Sequence, residues 1–150
     1  MRRLVVGISG GSGIPLAVEL LRQLRCVEDI ETHLVCTRGG EITAAQESEM
    51  SLEEICGLAD VIHDNKDIGA SIASGTFHTE GMVARECPLN TIHLRNMYEL
   101  SQMGVEILPP MLTYYNHPQS LEDCTRHIVG KILDRFGIEG KDFRRWNGCV

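Results

Sequence analysis

The stretch Gly7-Ile8-Ser9-Gly10-Gly11-Ser12-Gly13 decides the fold of this chain. It follows the apolar run Leu4-Val5-Val6 and leads into residues 14–21, whose apolar side chains recur at helical spacing. The pattern predicts a strand, a glycine loop and a helix, with Ser12 as N-cap and Pro15 in the first helical turn. Glycines let a backbone approach a ligand closely, and the first helical N–H groups lack partners, so such a unit is typical of anion binding.

The glycine loop is open to three interpretations. Its spacing differs from the dinucleotide pattern G-x-G-x-x-G and lacks the Gly-Lys-Ser/Thr of a P-loop, but it is compatible with a phosphate-bearing ligand. Residues 7–11 also match the G-x-S-x-G nucleophile elbow, which makes a small serine hydrolase using Ser9 an alternative function. In the third interpretation, the glycines serve only a close turn between strand and helix.

Length, composition and charge exclude several classes of protein. The 150 residues, 43% of them apolar, suffice for one domain with one core, which we expect to span residues 1–150. The sequence lacks an apolar run of about 18 residues and a signal sequence, which predicts a cytoplasmic protein without a membrane segment. Six scattered cysteines favour neither a zinc site nor a disulfide framework, and a net charge of −7 argues against a nucleic-acid partner.

The stretch after the first helix predicts a second strand and then mainly helix. Residues 30–36 predict a strand that ends at Thr37, which would share the ligand-binding edge of a parallel sheet with the glycine loop. Residues 41–59 are helical in character, and Ser51 opens a capping box within them. Residues 60–67 are polar and predict a loop.

The second half of the chain predicts two strands, two helices and an irregular arm. Residues 81–86 can form a short strand that presents Arg85 at its carboxyl end. Asn90 is a favourable N-cap for the helix that follows, and residues 105–108 predict a strand ended by two prolines. The arm after these prolines carries two adjacent tyrosines, and Ser120 begins the last helix.

Seven motifs spread over nearly the whole chain are weak individually and highly specific together: Val6-Gly7-Ile8-Ser9-Gly10-Gly11-Ser12-Gly13, Glu31-Thr32-His33-Leu34-Val35, Ala73-Ser74-Gly75-Thr76-Phe77, Ala84-Arg85-Glu86-Cys87-Pro88-Leu89, Ile92-His93-Leu94, Pro109-Pro110 and Tyr115-Asn116-His117-Pro118. With these motifs in this order, the chain resembles the UbiX/Pad-type flavin prenyltransferases. The resemblance is to the branch that serves the non-oxidative hydroxyarylic (phenolic) acid decarboxylase systems. It implies a flavodoxin-like or Rossmann-like three-layer α/β sandwich with a mostly parallel sheet.

The resemblance also implies an activity. Members of the family bind FMN and join a dimethylallyl group from dimethylallyl phosphate to the reduced flavin without a metal. The product, prenylated FMN, passes to a UbiD-type decarboxylase. The expected assembly is a homo-oligomer, a dodecamer by family resemblance.

Three sets of site residues follow from the resemblance. The flavin is expected at the glycine loop and the end of the second strand, on Gly10, Gly11, Ser12 and Thr37. The reacting centre is expected to contain Glu47, Arg85 and Glu86, and the phosphate of dimethylallyl phosphate to contact Tyr115 and Lys131. These residue types suit the chemistry, because departure of an allylic phosphate develops negative charge on the phosphate and positive charge on the allyl carbon.

One departure from the family pattern is large. Between Val83 and Ala84 the chain passes from the start of one family strand to the end of another, as if at least roughly 30 residues of strand and helix were deleted. Either the sequence omits residues of the natural polypeptide, or the chain is a shortened relative. A shortened relative is expected to bind FMN weakly and to transfer no prenyl group, which makes a catalytically inactive FMN-binding or structural subunit the first alternative function.

Overall fold

A computed structural model describes residues 1–85 and 90–146 of the chain. The strands within these ranges are β1 (Arg2–Ile8), β2 (Ile30–Cys36), β3 (Val61–Asp64) and β4 (Gly81–Ala84). The helices are α1 (Ile14–Leu24), α2 (Arg38–Glu47), α3 (Leu52–Cys56), α4 (Thr91–Gln102) and α5 (Leu121–Arg135), with a short 3-10 turn at Ser71–Ala73.

The four strands form one parallel sheet in the order β3-β2-β1-β4. The chain moves outward from β1 to β2 and β3, then returns to the other side of β1 to form β4. The direction of winding therefore reverses between β1 and β4. In open parallel sheets the ligand crevice lies at such a switch point, outside the carboxyl ends of the strands.

One face of the sheet holds the hydrophobic core. Leu4, Val6 and Ile8 of β1 are at most 5% exposed and pack in one cluster with apolar side chains of α1, α2, α3 and α5. In α1, Leu21 and Leu24 are almost fully buried, each contributing about 2 kcal/mol of apolar burial. Because only residues 9–13 separate β1 from α1, the start of α1 lies close to the carboxyl end of β1.

Side-chain caps set the start of three helices as the sequence predicts. Ser51 and Ser120 each form a complete capping box at the start of α3 and α5. Asn90 accepts a hydrogen bond from the amide of His93 at the start of α4. These local signals were sufficient because each cap depends on residues three positions apart.

Two sequence predictions about secondary structure are wrong, and a third is confirmed with a shifted boundary. Residues 61–64 form β3 rather than a loop, because they pair in parallel with β2 from His33 onward. Residues 41–59 contain parts of two helices, and α2 begins earlier, at Arg38, because Thr37 caps it. Residues 105–108 do not form a strand: they join no ladder and are largely exposed beyond α4, which itself has no buried side chain.

Candidate active site

The ends of three strands meet at the switch point. The glycine loop follows β1, Thr37 follows β2, and Arg85 follows β4. The side chain of Arg85 packs on the loop, because a Cβ atom placed on Gly13 would lie 3.2 Å from its Cδ atom. The sheet therefore brings the predicted flavin loop and the predicted arginine of the reacting centre together.

Two threonines fix the conformation of the glycine loop. The Thr37 hydroxyl donates to the carbonyl of Ser9 at 3.0 Å and accepts from the amide of Gly40 at 3.2 Å. The Thr43 hydroxyl donates to the carbonyl of Gly10 at 2.9 Å. Gly10 has φ of +107°, a conformation that glycine adopts with little strain. The hydroxyl proton of Thr37, a residue predicted to bind the flavin, is thus used to hold the loop. Nothing in the sequence indicated the role of Thr43.

Glu47, rather than Ser12, caps the start of α1. Its carboxylate accepts hydrogen bonds from the amides of Gly13 at 2.8 Å and Ile14 at 3.1 Å. Ser12 is wrong as the N-cap, because Gly13 occupies that position and the cap comes from the last residue of α2. Hydrogen bonds from the Ser12 side chain and the Gly13 amide hold the pKa of Glu47 below its ordinary value, assisted by the charge of Arg85.

Replacing Glu47 with glutamine is expected to lower the free energy of unfolding at neutral pH by about 0.5–1 kcal/mol, because α1 loses a charged cap. The folded-state pKa of Glu47 lies below its ordinary value of 4.5. The contribution is therefore fully present above that value and is lost as the pH falls through the folded-state pKa. Urea unfolding of the wild type and Glu47→Gln over a series of pH values measures this dependence.

Glu49→Gln is the matched control, because Glu49 is two residues away and exposed. Its free energy of unfolding should follow that of the wild type within about 0.5 kcal/mol. A difference between wild type and Glu47→Gln that persists unchanged into acid would contradict the capping role of the charged carboxylate.

Several hydrogen-bond donors at the switch point have no acceptor in the part of the chain that the structure describes. Within residues 1–85 and 90–146, the backbone amides of Gly10, Gly11 and Ser12 make no hydrogen bond. The Nε and Nη1 atoms of Arg85 are buried and also lack an acceptor among the described residues. A buried guanidinium without an acceptor is costly and is typical of a place that receives a ligand, and the more accessible loop amides are free to bind the same ligand. The amides at the start of α1 were expected to serve that purpose, but Glu47 already occupies those of Gly13 and Ile14.

Ser9 is not arranged as a hydrolase nucleophile. Its hydroxyl donates to the backbone carbonyl of Arg85 at 2.8 Å. No hydrogen bond joins Ser9 to a histidine in the part of the chain that the structure describes. A serine nucleophile needs a base within hydrogen-bond reach, so this geometry gives the hydrolase hypothesis no support.

Tyr115 lies in a second cluster, with His127 of α5 and Trp146. The Tyr115 hydroxyl is 3.0 Å from Nε2 of His127 on α5, and its ring packs against Trp146. Lys131 follows His127 by one helical turn. The pKa of His127 is lowered mainly by burial and, to a smaller extent, by the charge of Lys131. None of the contacts among the described residues joins this cluster to the glycine loop. Glu86, the remaining residue predicted for the reacting centre, lies outside the described residues.

Neither a membrane span nor a metal cluster is found in the described parts of the chain. None of the helices in residues 1–85 and 90–146 combines the length and the apolar character that crossing a bilayer requires. The same residues contain no group of three or more His, Cys, Asp or Glu side chains arranged to hold a metal ion.

Comparison with known proteins assigns the chain to a family, although no protein-family model matches it. Its fold and unpaired donors define an α/β protein with a candidate anion site at the switch point of a parallel sheet. The flavin prenyltransferase UbiX of Escherichia coli strain K12 is 39% identical over 189 positions, covering 99% of this chain and 100% of the relative. The chain therefore belongs to the UbiX family of flavin prenyltransferases.

Two solved structures share the fold. The dodecameric FMN-dependent UbiX-like decarboxylase from Escherichia coli O157:H7 has a TM-score of 0.92 and 37% identity, with 97% of this chain and 100% of that one covered. AnUbiX (PadA1), in complex with FMN and dimethylallyl pyrophosphate, has a TM-score of 0.92 and 33% identity, with 99% of each chain covered. The predicted flavodoxin-like α/β fold class is thereby confirmed.

The alignments also bear on the length of the chain. The alignment to UbiX of strain K12 has 189 positions and this chain has 150 residues, so at least 39 positions of the alignment face gaps in this chain. This number agrees with the size of the predicted deletion. The location of the deletion between Val83 and Ala84 stays a prediction.

Proposed function

We propose that this chain transfers a dimethylallyl group from dimethylallyl phosphate to reduced FMN. The observation that carries the proposal is the convergence, at the switch point, of donors that lack acceptors among the described residues: the amides of Gly10, Gly11 and Ser12 beside the buried Nε and Nη1 atoms of Arg85. Both substrates carry phosphate, which accepts hydrogen bonds from such donors. The family relatives named above bind FMN or prenylate it, in keeping with this assignment.

The glycine loop and Thr37 are proposed to hold the flavin. The glycines of the loop carry no Cβ atom, and Gly10 and Gly13 adopt positive φ, so a planar ring or a phosphate can approach the amides closely. Thr37 and Thr43 fix the loop before any ligand arrives, which reduces the entropy cost of binding. The bound flavin supplies the nucleophile; the chain supplies position and charge.

Arg85, Glu47, Tyr115 and Lys131 are proposed to stabilise the separating charges. During transfer the allylic carbon–oxygen bond would break, inorganic phosphate would leave, the allyl carbon would bond to the flavin, and the flavin would lose one proton. A guanidinium, an ammonium and a phenol hydroxyl stabilise the departing phosphate, whereas the ionised carboxylate of Glu47 favours positive charge on the allyl carbon. The depressed pKa of Glu47 keeps that carboxylate ionised at neutral pH. Glu86 is proposed to act beside Arg85 in the same centre.

Assembly, partner and location follow as further parts of the proposal. We propose a homo-oligomer, a dodecamer like the Escherichia coli O157:H7 relative. The exposed apolar side chains of α4, among them Ile92 at 70% and Tyr98 at 66% exposure, support contacts between copies. A UbiD-type hydroxyarylic acid decarboxylase is proposed to receive the prenylated FMN in the cytoplasm, and no metal is needed for the transfer.

A second candidate function is an inactive subunit of the same decarboxylase system. Two observations favour it: at least 39 alignment positions face gaps in this chain, and Glu47 occupies the amides of Gly13 and Ile14 at the start of α1. A carboxylate at that place repels a phosphate unless Arg85 or another cation compensates for its charge.

Incubation of the purified chain with reduced FMN and dimethylallyl phosphate separates the two functions. We expect mass spectrometry to detect FMN that has gained one C5H8 unit, together with release of inorganic phosphate. A control without the protein shows the background reaction. Unchanged FMN in the presence of a folded, FMN-binding chain would contradict the proposed transfer and support the inactive subunit.

A further inference from the structure

A buried histidine holds the hydroxyl of Tyr115. His127 on α5 is only 4% exposed, and its Nε2 atom lies 3.0 Å from the Tyr115 oxygen. Phe143 packs beside the imidazole with ring centroids 5.4 Å apart, and Trp146 packs edge-on against Tyr115 at 5.2 Å. The imidazole is thus enclosed, whereas Tyr115 is 37% exposed and can meet a ligand from solvent.

The chemistry of the two rings constrains which of them donates. A phosphate oxygen only accepts hydrogen bonds, so Tyr115 contributes to phosphate binding only if its hydroxyl proton points at the phosphate. That proton is available when Nε2–H of His127 donates to the phenol oxygen. If the phenol donates to an unprotonated Nε2 atom instead, its proton is not available for a hydrogen bond to the phosphate.

The surroundings of His127 keep this bond in place. Burial lowers the pKa of His127, and the charge of Lys131 lowers it further, so the imidazole is neutral at neutral pH. A neutral imidazole carries one proton and can place it on Nε2. Lys131 lies one turn further along α5 on the same helix face as His127, close enough for its charge to act on the imidazole.

We infer that His127 is the positioning residue for Tyr115: its Nε2–H donates to the phenol oxygen and directs the phenol proton toward the phosphate of dimethylallyl phosphate. This inference rests on the proposed function for the identity of the ligand. It adds to the site a residue that touches neither substrate. This bond joins the arm to α5 through two residues, Tyr115 and His127, that are twelve positions apart along the chain.

Trp146 gives the test a readout that is independent of catalysis. It is the single tryptophan of the chain and packs on Tyr115, so its fluorescence reports ligand binding at this phenol. Dimethylallyl phosphate is titrated into the wild type, His127→Leu, His127→Gln, Tyr115→Phe and the double variant Tyr115→Phe/His127→Leu. Glutamine keeps an N–H donor in a similar place, whereas leucine keeps bulk without a donor.

We expect His127→Leu to bind about tenfold more weakly, as Tyr115→Phe does, with no further loss in the double variant and recovery to within about threefold in His127→Gln. Wild-type affinity in His127→Leu, or additive losses in the double variant, would overturn the inference. Thermal unfolding of each variant identifies any that fail to fold. If His127→Leu does not fold, the affinity of His127→Gln decides: a loss of more than about threefold overturns the inference. If the wild type binds dimethylallyl phosphate and His127→Leu weakens that binding, but no prenyl group is transferred, only the proposed function is overturned.

Discussion

Gly10→Asp is expected to abolish flavin binding. Gly10 has φ of +107°, and a Cβ atom at this position would lie 2.9 Å from the carbonyl carbon of Gly39. Any side chain therefore displaces the loop, and a carboxylate adds charge repulsion against the flavin phosphate. We expect the affinity for FMN to fall on the order of 100-fold, about 3 kcal/mol, in an equilibrium titration of flavin fluorescence.

Two further variants separate the causes of this loss. Gly10→Ala tests the steric term alone and should retain part of the affinity. Gly57→Ala is the matched control, because Gly57 has φ of −64° at the end of α3 and lies away from the loop. FMN affinity in Gly10→Asp equal to that of Gly57→Ala would show that the loop does not bind the flavin.

Arg85→Met is expected to abolish prenyl transfer while making the protein more stable. Two nitrogens of the guanidinium are buried without acceptors among the described residues, so the folded chain bears an uncompensated desolvation cost that methionine removes. We expect the free energy of unfolding to rise by about 1 kcal/mol and the rate of transfer to fall about 100- to 1000-fold. Urea unfolding and the prenyl-FMN assay measure the two quantities on one preparation.

Arg95→Met provides the control for loss of an arginine. Arg95 is exposed on α4 and pairs with Glu99 one turn away. Because exposed pairs contribute little, we expect neither stability nor transfer to change appreciably. An Arg85→Met variant that is less stable than the wild type and still transfers the prenyl group would contradict a ligand-binding role for Arg85.

The part of the fold that local sequence determines was predicted well. The β1 strand, the glycine loop and α1 follow from an apolar run, a loop with positive φ, and helical spacing, all within about 25 residues. Ser51, Asn90 and Ser120 begin their helices because each cap needs only a partner three residues later.

The errors arose where distant residues decide the structure. Residues 61–64 are a short run within the mainly polar stretch 60–67, and they become a strand only through pairing with β2. Residues 105–108 have the composition of a strand but pair with none of the described strands. Among these strands, β4 forms one edge of the sheet. Ser12 lost the cap of α1 to Glu47, which lies 35 residues further along the chain and was identified only through family resemblance.

The candidate site shows the same division. The glycine loop was predicted from its motif and Thr37, Glu47 and Arg85 from family resemblance, and the sheet topology explains why they meet. Sequence reasoning missed Thr43 and His127, because a threonine on a helix and a histidine on an apolar helix face are ordinary in sequence. Their contacts with Gly10 and Tyr115 arise only from packing of separate elements.

A crystal structure of the chain soaked with FMN tests the central claim most directly. We expect the flavin phosphate or ring within hydrogen-bond distance of the amides of Gly10, Gly11 and Ser12, with the isoalloxazine beside Thr37, Glu47 and Arg85. FMN bound elsewhere on the chain, with these amides still unoccupied, would contradict the claim.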